Sequence, residues 1–369
     1  MMKILHLETG MHLYGGARQV LYLIEGLERR GVDNVLVCAK GSAVANAGRE
    51  SCAVIELKMR GDLDLPFVGR FFRLIKQQQP DIIHIHSRRG ADTLGGLAAR
   101  WAGTPAVLTR RVDNPESSLG VRLKYPLFRQ VVAISGYIEH GLREAGIDER
   151  KLSCVPSAVD STLFRQRDCE DTWLREEFGV SPGEPILAVV AQLIPRKGHE
   201  FAIRAMQGIA QRFPSATMLL LGRGPLEGSL RKQIGEAGLT ERVQLVGFRN
   251  DLHRVLACVD VLLHPALAEG LGVALLQAAS AGVAIVASDA GGIPEIVEHE
   301  RTGLLVARGD SEALAQAVCR LLADSALRAS LGRNARAKVL EEFSIDRMTE
   351  GNLGVYRSML RRAAEAVDG

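Results

Sequence analysis

Short apolar runs alternate with amphipathic stretches along almost the whole chain. The runs at 3–7, 34–38, 53–57, 81–86, 106–109, 131–134 and 152–155 have strand length and are rich in Val, Ile and Leu. Helical spacing appears between most of them. Val20, Leu21, Leu23, Ile24 and Leu27, for example, share one face. This alternation predicts βαβ units, and hence a parallel sheet covered by helices. A polar, charge-rich stretch at 165–185 breaks the rhythm and reads as a linker. The alternation restarts at 186–190 and continues through 217–221, 243–246, 261–264, 283–287 and 303–306. The chain is therefore expected to be α/β, in two similar halves that place ligands outside the carboxyl ends of their strands. Facing halves would form a cleft suited to a small ligand. The last segment, 345–367, has Tyr356, Met359 and Leu360 among Arg357, Arg361 and Arg362, and is expected to return as a helix onto the first half.

Composition narrows the class. A length of 369 residues suits two domains, and the hydrophobic and charged fractions of 47% and 24% are those of ordinary soluble protein. The 46 basic and 43 acidic residues leave a net charge of +3, which makes no case for nucleic acid as a partner. Six cysteines are scattered without a CxxC pair, which favours reduced core thiols over a disulfide framework or metal site. The opening residues run straight into the strand-like MKILHLE with no signal peptide, and no apolar stretch is long enough to span a bilayer. A cytoplasmic protein is expected, with peripheral contact at the inner face of a membrane left open. The segment PFVGRFFRLIK at 66–76 could rest on an anionic membrane surface, but a core-facing helix with a basic outer side is favoured.

The most informative stretch is 265–297, PALAEGLGVALLQAASAGVAIVASDAGGIPEIV. An acidic glycine loop, Glu269, Gly270, Leu271, Gly272 and Val273, joins a strand to a helix. Free backbone N–H groups at the helix start favour an anion there. A carboxylate beside an anion site needs a reason, and a polyol attached to a phosphate supplies one, because Glu269 can accept its hydroxyl hydrogen bonds. Sugar nucleotides combine both groups.

Other motifs lie at predicted strand ends. VAQLIPRKG carries Gln192 and Lys197, LLLGRGP carries Arg223, and VQLVGFRND carries Phe248 and Arg249. Phe248 could frame a base or pack in the core, and Arg249 could line that pocket or face solvent. Gly15 and Gly16 open a helix in GGARQV, where glycine allows close approach of a ligand. DIIHIHSRRG puts His84 and His86 on one strand face. No third ligand is evident, so no metal is expected; His84 reads as a satisfied core residue. Arg110, Arg111 and Asp113 in LTRRVDNP, with Arg88 and Arg89, suggest a basic acceptor pocket suited to phosphate, or else a solvated basic surface. DLD at 62–64 reads as an ordinary solvated loop.

With these motifs in place, the chain resembles the retaining, metal-independent glycosyltransferases of family 4, from the Gly15–Gly16 turn to the terminal helix. The segment at 265–297 is similar to the family's Glu-x7-Glu signature, with Glu269 first but Gln277 at the second acidic position. The resemblance implies the GT-B fold: two facing Rossmann-like domains, 1–165 on the acceptor side and 166–344 for the nucleotide sugar, with 345–369 packing back on the first. It implies Lys197 as the lysine that neutralises the donor diphosphate, with Gln192 where an arginine is usual and Arg196 or Arg223 as replacements. It also implies Gln277 at the nucleotide ribose, Phe248 and Arg249 near the base, Glu269 orienting the sugar, and His86 close to the transferred sugar. The implied partners are a nucleotide sugar and a glycan or lipid-linked acceptor, with no cofactor. An envelope polysaccharide or lipopolysaccharide pathway fits the resemblance. A nucleotide-sugar epimerase and a catalytically silent sugar-nucleotide binder remain alternatives, the latter because of Gln192 and Gln277. A nicotinamide dehydrogenase fits poorly, since the first strand leads into no GxGxxG.

Overall fold

The structure, a computed structural model, describes every residue except Arg88, Arg89, Pro115, Arg167, Pro182 and Gly369, and gives backbone alone at 171 and 363–368. The chain divides into two compact units. One is Met1–Ala158 with Ile345–Gly369, and the other is Val159–Ser344.

The first unit contains β1 (Lys3–Glu8), β2 (Asp33–Ala39), β3 (Ala53–Leu57), β4 (Ile82–Ile85), β5 (Ala106–Arg110), β6 (Gln130–Ala133) and β7 (Leu152–Cys154). They form a parallel sheet in the order β3-β2-β1-β4-β5-β6-β7. The second unit contains β8 (Ile186–Val190), β9 (Thr217–Leu221), β10 (Val243–Gly247), β11 (Val261–His264), β12 (Ala284–Ser288) and β13 (Leu304–Val306). Its parallel order is β10-β9-β8-β11-β12-β13. Each sheet reverses its strand order once, between β1 and β4 and between β8 and β11. In doubly wound sheets that reversal opens a crevice at the carboxyl ends of the two strands. Every strand expected from the apolar runs is present, and no bound moves by more than one residue. Helices cover both faces of such sheets, so the strands are buried on both sides and read as continuous apolar runs.

Three expectations need correction. The polar stretch at 165–185 is no linker but lies inside the second unit. Its helix Asp171–Phe178 buries Leu174 and Phe178 and turns its charged face outward, which is why composition alone suggests a loop. The reduced-thiol reading fits Cys38, Cys52, Cys154 and Cys319, whereas Cys169 and Cys258 form a disulfide. Cys169 lies in the polar stretch and Cys258 caps the helix Leu252–Ala257, and folding brings their Cα atoms to 4.6 Å. The DLD loop is not fully solvated either. Asp64 is buried, accepts from the Arg60 amide at 2.8 Å and pairs with Arg70 at 2.6 Å.

The helix Ile345–Asp368 belongs to the first unit. Its Leu353, Val355, Tyr356 and Met359 complete an apolar cluster with Ile4, Leu23, Leu27 and Val107. Arg30 fastens the start of the helix through Asp346 at 3.0 Å and Glu350 at 2.5 Å. The helix Leu65–Gln78 buries Phe67, Val68, Phe71, Leu74 and Ile75, so the apolar face considered for a membrane is spent on the core. Among the described residues, no helix is long and apolar enough to cross a membrane.

Candidate active site

In the second unit the loops leaving β8 and β11 meet at the strand-order reversal. Gly198, at φ +68°, lets the Lys197 turn seat against the end of β11; a Cβ there would lie 1.9 Å from the Pro265 carbonyl oxygen. The two loops are also hydrogen-bonded, Leu267 N–H to Arg196 O at 2.8 Å and Arg196 Nη1 to Ala268 O at 3.3 Å. From the other side Gly291, at φ +58°, packs so closely that a Cβ would meet the Glu269 carbonyl oxygen at 2.0 Å, and the Gly292 amide donates to that oxygen at 3.0 Å. The Gly291–Gly292 turn thus packs directly on the backbone of Glu269, and the Lys197 turn on the residues just before it.

The Glu269 carboxylate is buried. Its Oε2 is ion-paired with Lys197 Nζ and accepts from His264 Nε2 at 3.0 Å, while Oε1 accepts from the Gly270 amide at 3.2 Å. Burial alone would raise its pKa, but the His264 hydrogen bond and the Lys197 charge overcome that and hold it well below the usual carboxylate range. Burial lowers the pKa of His264, so its ring is a neutral donor to a permanent anion. Beside this group the helix Val273–Ser280 begins at Gly272 (φ +107°) with no side-chain cap, which leaves its first N–H groups for an anion. Gln277 lies one turn into that helix, half-buried, and its side chain has no partner among the described residues.

The rest of the predicted donor set occupies the same rim of the sheet with less uniform roles. Gln192 follows β8 and Arg223 follows β9, and both are exposed. Phe248 follows β10 and is 45% exposed, which removes the core-packing alternative. Arg249 is engaged within the protein. It pairs with Asp251 at 2.6 Å and with Glu177, and its guanidinium lies 5.4 Å from the Phe178 ring.

In the first unit the reversal brings three histidines together. His6 on β1 pairs in register with His84 on β4, and ligand atoms of His6, His84 and His86 lie within 4.8 Å of one another. His6 is the third imidazole that spacing along the chain concealed. His84 is satisfied, by Tyr356 Oη at 2.5 Å and Thr109 Oγ1 at 2.6 Å. His6 Nε2 meets Asn34 Oδ1, and His6 Nδ1 meets His86 Nε2, each at 3.0 Å. Burial lowers the pKa of all three, that of His6 to about 4. Three neutral imidazoles are a donor set that a divalent ion can use, but an ion here would have to displace the hydrogen bonds of His6 and His84. Glu8, at the end of β1, is buried on the same rim and accepts from Ser87 Oγ at 2.7 Å and the Gly10 amide at 2.8 Å. Glu8, His6, Asn34 and His264 belong to none of the candidate site motifs along the chain. The only signal for them was polar residues inside, or at the ends of, otherwise apolar strands.

Among the described residues of the predicted acceptor set, Arg110 and Arg111 do not form a free basic patch. Arg110 is buried, pairs with Glu116 at 2.7 Å and donates to Asn114 O at 2.6 Å; Lys124 shares the same carboxylate. Its charge is thus neutralised by a residue six positions along the chain, contrary to the phosphate-site expectation. Arg111 has no carboxylate in salt-bridge range among the described residues and donates to Ser157 Oγ at 3.4 Å; burial lowers its pKa to about 10. A Cβ on Gly16 would touch its Cδ at 3.6 Å, so Arg111 stands against the start of the helix Gly15–Glu28, where Gly15 and Gly16 are exposed. Asp113 is half-buried. Arg88 and Arg89 lie outside the described residues.

Two reversed-order parallel sheets, each with polar groups gathered at its reversal, are the architecture of GT-B glycosyltransferases. Models of two families match, glycosyl transferases group 1 over residues 171–338 and glycosyltransferase family 4 over residues 14–163. Among similar proteins is a GDP-mannose-dependent alpha-(1-6)-phosphatidylinositol monomannoside mannosyltransferase of Mycolicibacterium smegmatis, 30% identical over 268 residues, 70% of this chain and 67% of that one. Another is the UDP-Gal:alpha-D-GlcNAc-diphosphoundecaprenol alpha-1,3-galactosyltransferase of Escherichia coli, 26% identical over 382 residues and 97% of both chains. In fold the chain matches Anabaena HepE in complex with UDP-glucose, with TM-score 0.86, 23% identity, and coverage of 97% of this chain and 100% of the other. The chain belongs to glycosyltransferase family 4.

Proposed function

We propose that this glycosyltransferase moves a hexose-type unit from a nucleotide-diphosphate sugar to a glycan or lipid-linked acceptor, with retention of configuration and without a metal ion. The observation that carries the reading is the meeting of Lys197, Glu269 and the uncapped start of the helix Val273–Ser280 at one strand-order reversal. The lysine and the helix amides suit a diphosphate, whose charge grows as the bond to the sugar breaks. The carboxylate, ionised at any working pH, suits hydroxyl donors of the attached sugar. Gln277 is assigned to the ribose, Phe248 and Arg223 to the nucleotide, and His86 to a hydroxyl of the substrate. Arg111 and the Gly15–Gly16 turn are assigned to substrate binding in the first unit.

In the proposed step the bond from the anomeric carbon to the leaving phosphate breaks on the face where the acceptor oxygen bonds. The acceptor hydroxyl passes its proton to a phosphate oxygen of the leaving group. Lipid-linked and phosphatidylinositol substrates in the names of the similar proteins support an acceptor at an envelope membrane. The test is a thermal-shift screen of UDP-, GDP-, ADP- and CMP-sugars, followed by transfer assays with the stabilising donor in excess chelator and NMR of the product anomer. Inverted product, or activity abolished by chelation and restored by a divalent ion, would overturn the mechanism. Stabilisation by none of the sugar nucleotides would overturn the donor class.

A further inference from the structure

The hydrogen bonds around His86 have a direction, and it starts at Asn34. The Asn34 Nδ2 group donates to the Glu28 carboxylate at 3.0 Å and to the Val32 carbonyl at 2.8 Å. Neither partner can donate, so the amide orientation is fixed and Oδ1 is the atom that faces His6. Oδ1 can only accept, so His6 Nε2 carries the proton of that bond. A neutral His6 then has a bare Nδ1. That lone pair meets His86 Nε2 at 3.0 Å, so His86 Nε2 carries the next proton. The two rings are tilted by only 14° with centroids 5.3 Å apart, and with the nitrogens at 3.0 Å they meet edge to edge, as an N–H···N bond requires. A neutral His86 is left with a bare Nδ1. It is buried and has no partner among the described residues. His84 plays no part in setting this direction, because both its partners are hydroxyls that can donate or accept.

We propose that Asn34 and His6 are positioning residues that hold His86 in the tautomer with Nδ1 unprotonated, so that the ligand group meeting His86 must be a hydrogen-bond donor. The ligand half of this inference rests on the assignment of His86 to the substrate made above. The group is then a carbohydrate hydroxyl or the N–H of an acylamino sugar. An ether, keto or fluoro substituent at that position would leave the Nδ1 lone pair buried without a partner. Burial, which disfavours the charged form of both rings, keeps the arrangement neutral in the working pH range.

Long-range proton–nitrogen NMR on the full chain labelled with nitrogen-15 histidine reads the tautomer directly, with His86→Gln used to assign the signals. The expected result is a protonated Nε2 and a bare Nδ1 on His86. Asn34→Ala, which removes the accepting oxygen that faces His6, should give a mixture of tautomers. A His86 protonated at Nδ1 in the wild type overturns the inference, and so does an Asn34→Ala spectrum identical to wild type. A second arm titrates the chain with UDP-glucose and with GDP-mannose. A shift of the His86 Nδ1 resonance on binding supports the ligand half. Binding seen by thermal shift with no movement of Nδ1 overturns that half. Failure of both sugars to bind counts against the donor reading, while the tautomer arm still decides the relay.

Discussion

Lys197 and Glu269 stand 72 positions apart in the chain and form a largely buried ion pair at the reversal of strand order in the second unit. The pair has consequences for both binding and stability. Removing one member of a buried pair leaves the other charge uncompensated, at a cost of about 3–5 kcal/mol. Glu269→Ala should therefore melt earlier than wild type and lose most transfer. It should nevertheless bind the free nucleoside diphosphate at least as tightly, because Lys197 no longer has an internal anion to satisfy. Lys197→Ala should lose diphosphate affinity. Calorimetry with UDP or GDP, whichever binds the wild type, separates the two, and weakened diphosphate binding by Glu269→Ala would refute the assignment.

Acid should destabilise the protein in two separate windows. Burial lowers the pKa of His6 and His199 from 6.5 to about 4. Between those values the unfolded chain takes up protons that the folded chain refuses. Their contribution is therefore complete above pH 6.5 and declines as pH falls toward 4, at about 1.4 kcal/mol per pH unit for each histidine. Glu269 acts lower. Its folded pKa lies below the ordinary 4.5, so its contribution is present above pH 4.5 and is lost as pH falls further. Urea midpoints measured from pH 8 to 4 should fall mainly below 6.5. His199→Gln should flatten that slope, and an unaltered slope would count against the buried neutral ring.

How much of this was legible along the chain follows from what each feature depends on. The strands were, because a parallel strand covered on both faces announces itself locally as an apolar run. The Glu269 loop was also legible, since strand, glycine turn and helix start are consecutive in sequence. The His6–His86 contact was not. It depends on β1 lying beside β4, a pairing that crosses two intervening strands in the chain. Arg110 looked like one of a basic group because pairing with Glu116 requires a particular fold of the loop after β5. Residues 165–185 looked like a linker because an edge helix exposes most of its surface, and the disulfide from Cys169 to Cys258 spans 89 positions.

The disulfide can be tested by counting thiols. Alkylation of the denatured chain without reductant should label Cys38, Cys52, Cys154 and Cys319 and spare Cys169 and Cys258, and prior reduction should make all six reactive. In a strongly reducing compartment the pair would instead persist as adjacent thiols. Mass spectrometry of peptides from protein purified with thiols blocked at lysis decides the point. Full labelling of Cys169 and Cys258 in that sample would restore the reduced reading.

Arg249 and Phe248 are neighbours with opposite expected behaviour. Arg249 is held by Asp251 and Glu177 over Phe178, so Arg249→Ala should cost about 1–3 kcal/mol of stability through lost charged hydrogen bonds and should alter donor affinity little. Phe248 is 45% exposed at the end of β10, so Phe248→Ala should leave the melting temperature nearly unchanged and weaken nucleotide binding. Thermal melts paired with donor titrations test both. A donor loss in Arg249→Ala larger than that in Phe248→Ala would return the arginine to the binding site.

Gln277 offers a gain-of-function test of the ribose assignment. Its side chain lies one turn into the helix Val273–Ser280, half-buried and without a partner among the described residues. An amide oxygen can accept from one ribose hydroxyl, but a carboxylate can accept from both and does so with charge assistance. Hydrogen bonds to charged groups contribute about 1.5–3 kcal/mol, against about 1 kcal/mol for neutral pairs. Gln277→Glu should therefore tighten donor binding by roughly tenfold. The opposing effect is repulsion between the new carboxylate and the diphosphate, which salt would screen. The gain should accordingly persist or grow as ionic strength rises, and 2′,3′-dideoxy nucleotide should show none of it. A dissociation constant the same in Gln277→Glu as in wild type for the hydroxylated donor would remove this side chain from the ribose.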